Sequence, residues 1–132
     1  MTPEERLVKA VLEQAFIDYH EGKRDLEKAR RALRSSRDKK KRKDAEDLEF
    51  ESELKIKSIE RWLKAKPQPG MIGFDLCCSV VGADPSRMAE GFKSVSCWRA
   101  WNEKDVRANF ESMIRKNERI KRERLAEELK VA

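Results

Sequence analysis

The sequence predicts an all-α protein built as a small helix-turn-helix core, a long charged helical hairpin or rod, and a long C-terminal helix. Three observations carry this. Apolar residues recur at spacings of three and four along most of the chain, the period of one face of an α-helix. Residues 23–66 contain no glycine or proline to stop a helix. Charged residues make up 42% of the 132 positions against 39% hydrophobic, so part of the chain lacks the apolar surface for a globule and suits exposed helices.

The first helix has a complete start signal. Thr2 is placed to cap it, Pro3 fits its first position, and Glu5 stands three residues after the cap. Val8, Val11, Leu12, Ala15, Phe16 and Tyr19 then form a broad apolar stripe, and the helix is expected to run to about residue 20, with Gly22 breaking or bending the chain. Beyond it, Leu26, Ala29 and Leu33 make one seam and Leu48, Ser52, Ile56, Ile59 and Leu63 make another. An antiparallel hairpin turning near Lys40 fits both, with Leu33 meeting Leu48 and Ala29 meeting Ser52; one continuous rod is the alternative. Residues 48–57 also alternate with period two, the pattern of a half-buried strand, but no partner strand is evident and a helix is expected.

Lys66-Pro67-Gln68-Pro69-Gly70 ends this arm, because proline removes a backbone donor and restricts the residue before it. It divides the chain into residues 1–66 and 71–132. Phe74, Cys77, Cys78 and Val81 then fall on one helical face, Gly82 suits a left-handed cap, and Asp84-Pro85 starts a second short helix whose inner face is Met88, Phe92 and Val95. Helix, glycine turn and capped helix are the pattern of a helix-turn-helix. Cys97, Trp98 and Trp101 look like a plug closing a small core, joined by Trp62 from the arm. Asn102 can cap a last helix reaching about residue 130. In it Val106, Phe110, Met113, Asn117 and Ile120 keep a 4, 3, 4, 3 spacing, the seam of a coiled-coil dimer with one polar position to fix register.

The formal charge of +6 is unevenly spread: residues 21–43 hold 12 basic and 4 acidic side chains, whereas residues 67–101 hold 3 of each. Phosphate attraction is therefore expected chiefly from the arm and not from the helix-turn-helix; Arg115, Lys116, Arg119, Lys121, Arg122 and Arg124 of the last helix make a second basic face, for phosphates or simply the solvated side of an oligomerising helix. The odd set of Cys77, Cys78 and Cys97, without a Cys-x-x-Cys pair, reads as core thiols in a reducing compartment, and with His20 the lone histidine no metal site or cofactor is expected. No nucleophile elbow or phosphate loop is present, so no catalytic residue is nominated. The start of the chain has no secretory pattern, and its longest apolar stretch, residues 71–83, is too short to span a bilayer; a cytoplasmic protein of a bacterial host is expected.

At Phe74-Asp-Leu-Cys-Cys-Ser-Val-Val-Gly-Ala-Asp-Pro-Ser-Arg-Met88 the chain resembles short helix-turn-helix proteins encoded by bacteriophages and prophages. Arg61-Trp62-Leu63 and the opening run from Leu7 to Ala15 are also similar to that group. The resemblance implies a regulator that binds double-stranded DNA. On this reading Ser86, Arg87, Glu90, Lys93 and Ser94 face the major groove, while Lys39, Lys40, Lys41, Arg42, Lys43 and Arg99 contact phosphates, and the protein acts as a homodimer. Glu90 and Gly91 depart from the polar or basic side chains usual in such a helix. Two other expectations stand beside it: a packaging component resembling a small terminase subunit, and an adaptor whose arms engage a host protein such as RNA polymerase.

Overall fold

The computed structural model describes residues 2–66, 72–94 and 102–131, and they form five helices: α1 (Pro3–Ser35), α2 (Lys39–Lys64), α3 (Phe74–Val81), α4 (Pro85–Ser94) and α5 (Glu103–Val131). The fold is all-α, and residues 48–57 lie within α2. The proline boundary at residues 67–70 and the plug of Cys97, Trp98 and Trp101 lie outside the described residues.

Thr2 caps α1 as expected, accepting from the Glu5 amide at 3.2 Å. The helix does not stop near residue 20, however; it continues through Gly22 to Ser35. Packing is the reason. Gly22 is buried against α2, where an added Cβ would lie 3.1 Å from Ile56 Cγ1 and 3.7 Å from the Ser52 carbonyl oxygen. The glycine lets two helix backbones approach, and that contact outweighs a helix-propensity cost of about 1 kcal/mol.

The hairpin turns at residues 36–38, a little before Lys40. Asp38 caps α2 by accepting from the Lys40 amide at 2.9 Å. Arg42 closes the turn, its guanidinium donating to the carbonyls of Leu33 (2.7 Å) and Ser36 (3.0 Å), which lack partners at the end of α1. Further in, Arg30 pairs with Glu49 and Glu53, Lys55 with Glu21, and the Tyr19 hydroxyl donates to Glu60 at 3.3 Å. These pairs set α2 antiparallel to α1, with Ala29, Ala45 and Ser52 buried between them.

One core spans both sides of the proline boundary. Leu12, Phe16 and Tyr19 of α1, Ile56 and Leu63 of α2, Phe74, Cys77 and Cys78 of α3, Met88 and Phe92 of α4, and Val106, Phe110 and Ile114 of α5 form a single buried cluster. Phe92 is its hub, with Phe16 at 5.2 Å and Phe74 at 6.0 Å between ring centroids, both edge-on as aromatic quadrupoles prefer. Trp62 packs edge-on against Phe74 and donates to the Ile72 carbonyl at 3.1 Å, tying the arm to α3. His20 is fully buried beside Phe16 and Tyr19, with no hydrogen-bond partner for either ring nitrogen among the described residues.

The α5 seam predicted to join two copies is instead used within the chain. Val106 and Phe110 are fully buried in the common core, Met113 packs under Gly91 of α4, Asn117 sits beside Met88, and Ile120 lines a cleft against the α3–α4 turn. Heptad spacing marks a face that needs a partner, and here α1 and α4 supply it. Ion pairs of Lys9 with Glu111 and of Arg107 with Glu13 set α5 antiparallel to the first half of α1. Its second half therefore runs on past Thr2.

Candidate nucleic-acid interface

The two short helices follow their sequence signals. Gly82 adopts φ 76°, a left-handed conformation that costs glycine least, and the amides of Gly82 and Ala83 close α3 on the carbonyls of Ser79 and Cys78. Asp84 then caps α4, its carboxylate accepting from the Arg87 amide at 3.3 Å. Both caps are local, made by groups within a few residues of the turn.

Inside that angle the side chains are small or apolar. Cys77 and Cys78 are free, buried thiols, and burial pushes Cys78 up to about 12, so it stays protonated and packs as a small apolar group. Met88 and Phe92 are fully buried. Gly91 faces α5, where an added Cβ would run into the Met113 sulfur. Its place in α4 is thus a packing requirement between α4 and α5, and not a site of close approach to an outside ligand.

The outward face of α4 is Ser86, Glu90 and Lys93, all exposed at i, i+4 and i+7. The backbone of Ser94 ends the helix, and its side chain lies outside the described residues, as does Arg99. Arg87 is not on this stripe. It is partly buried and turns toward α5, where it shares a cleft of about 350 Å³ with Asp84, Asn117, Lys121, Arg124 and Glu128. Lys121 lies over the turn, its ammonium 3.1 Å from where a Cβ on Gly82 would stand. Arg87, Lys121 and Arg124 have no ion pair among the described residues. Three cations and two carboxylates therefore leave the cleft positive at the start of α4, where the free amides of a helix add to the positive potential.

Sequence reasoning placed the phosphate contacts chiefly on the arm and left the basic face of the last helix as a second phosphate surface or a solvated side; the cleft that this face forms with Arg87 was missed. Its signal was the basic run of α5, where Arg115, Lys116, Arg119, Lys121, Arg122 and Arg124 stand against Glu118 and Glu123. Only folding shows that two of these side chains meet Arg87.

The arm itself divides. Lys39, Lys40, Lys41 and Lys43 are exposed on the first turns of α2, with no acid in the first turn to offset them. Arg42, however, is engaged on the α1 carbonyls and is not available to a phosphate without opening the turn. The arm is also remote. Counting 1.5 Å per residue along α1, its tip stands roughly 25 Å from His20 and the core.

No protein-family model, curated protein or solved structure matches this chain. Among the described residues, no helix is long and apolar enough to cross a membrane.

Proposed function

We propose that the protein is a non-catalytic, phage-type regulator that binds duplex DNA through the α3–α4 helix-turn-helix. The outward stripe Ser86, Glu90 and Lys93 reads base edges, and Arg87, Lys121 and Arg124 hold the flanking phosphates. The observation that carries this reading is the meeting of those three cations, without ion pairs among the described residues, at the capped start of α4. A positive site on the turn positions the duplex, while the mixed stripe beside it supplies donors and an acceptor for the groove. Glu90 fits this division, since a carboxylate accepts from a cytosine amino group but repels phosphate. Lys39, Lys40, Lys41 and Lys43 form a second, outlying phosphate contact.

Selection of bound duplexes from a random pool tests the assignment. Glu90→Ala with Lys93→Ala is expected to relax or change the selected sequence, at a cost on the order of 1–3 kcal/mol per lost base contact. Lys121→Ala with Arg124→Ala is expected to weaken all sequences alike. An unchanged selected sequence with the α4 variant would contradict the reading role of α4.

A further inference from the structure

Two helical faces, toward opposite ends of α1, keep large apolar side chains exposed among the described residues. On α2, opposite the buried Ala45, Ser52 and Ile56, Phe50 is 64% exposed and Leu54 50% exposed. Glu46, Asp47 and Glu51 are exposed around them, and none has an ion pair among the described residues. On α5, every residue from 121 to 130 is exposed, including Leu125 at 49% and Leu129 at 78%. A helical extension of this length is marginal in water by itself, and its apolar side chains ask for a surface.

The two faces are complementary. When α5 is laid parallel to α2 with Leu125 on Phe50 and Leu129 on Leu54, the same register sets Glu118 on Lys43, Arg119 on Asp44, Lys121 on Glu46 and Arg122 on Asp47. With Arg124 on Glu49, five charged positions from 118 to 124 oppose in sign and both apolar positions match, while between 118 and 130 like charges meet only at the far end, Glu128 on Glu53 and Lys130 on Lys55. The broader composition agrees: residues 44–53 hold six acids and no base, while residues 115–124 hold six bases and two acids. Within one chain these faces point along different ends of α1, since α5 leaves past Thr2 and the α2 face lies toward the hairpin tip.

We propose that the second half of α5 in one copy docks in parallel on the outer face of α2 in the next copy. Because α2 and α5 both run antiparallel to α1, parallel docking is head-to-tail. Each copy offers one donor face and one acceptor face, and the assembly grows past two copies or closes as a ring. The contact shares Lys121 and Leu125 with the wall of the cleft, whereas Arg119 and Arg122, the positions reversed below, do not line it.

Sedimentation velocity on the full chain tests this at roughly 100 μM and low salt, conditions suited to a small and transient interface. The expected result is a mass above the 15.5 kDa monomer that rises with concentration. It should fall back to the monomer by about 0.5 M salt, where exposed charges are screened. Glu46→Lys with Asp47→Lys reverses one face, and Arg119→Glu with Arg122→Glu reverses the other. Each variant alone, with an unchanged far-UV spectrum, is expected to be monomeric, because like charges then meet. An equimolar mixture of the two is expected to assemble again, since each reversed face finds its opposite on the other chain. A wild-type monomer at every concentration, a single variant that still assembles, a mixture that stays monomeric, or a mass fixed at two copies would each overturn head-to-tail docking.

Discussion

His20 is the buried side chain with the plainest energetic consequence. Burial first, and Lys23 second, push its pKa down to about 4 from an ordinary 6.5. The unfolded chain therefore takes up a proton between those values that the folded chain refuses. Stability is full above the unfolded pKa and declines as pH falls through this window. Between pH 6.5 and 5 the expected loss is about 2 kcal/mol, at 1.36 kcal/mol per unit. Chemical unfolding at several pH values checks it, and His20→Phe, which removes two buried nitrogens without partners among the described residues, is expected to flatten the dependence without loss of stability. Gly91 offers a second residue-scale test. In the wild-type chain Gly91→Ala is expected to destabilise by about 1–2 kcal/mol because the methyl displaces Met113. In a Met113→Ala background the same change is expected to stabilise by up to about 1 kcal/mol, the ordinary helix preference of alanine. A double-mutant cycle reads that change of sign.

The start of α2 is an element built against its own helix dipole. Lys39, Lys40, Lys41 and Lys43 crowd the positive end of the helix, where acids are favoured. Lys40→Glu with Lys41→Glu is therefore expected to raise stability by about 0.5–1 kcal/mol. If the arm holds phosphates, the same variant lowers affinity for duplex DNA; thermal melting and binding titration together separate the two effects. The elements also show which signals the sequence carried. Cap residues such as Thr2, Gly82 and Asp84 act on backbone groups a few positions away, so those helix ends were readable in advance. Gly22 and the α5 seam were misread for one common reason: each depends on what lies across from it. A glycine pressed on Ile56 continues a helix, and a heptad face covered by α1 and α4 does not need a second copy.

At the scale of the whole molecule, α1 organises everything else. It is about 50 Å long at 1.5 Å per residue. One half anchors the core of α3, α4 and α5, and the other half carries the α2 hairpin away from it. This separates three surfaces: the cleft and stripe at the helix-turn-helix, the basic hairpin tip, and the exposed end of α5. The stripe on α4 was found from the sequence because its residues are neighbours. The cleft was not, because Arg87 and Lys121 are 34 positions apart in the chain and only the packing of α5 on α4 unites them.

The salt dependence of duplex binding distinguishes a phosphate-holding cleft from an incidental basic surface. Affinity would be measured from 50 to 200 mM salt for the wild-type chain and for Arg87→Ala with Lys121→Ala and Arg124→Ala. Each lost phosphate contact is expected to flatten the log–log slope by about 0.9, so the triple variant should lose roughly 2.7 along with most of its affinity. A wild-type chain that binds no duplex at 50 mM salt, or a triple variant whose slope equals that of the wild type, would contradict the assignment of DNA phosphates to this cleft.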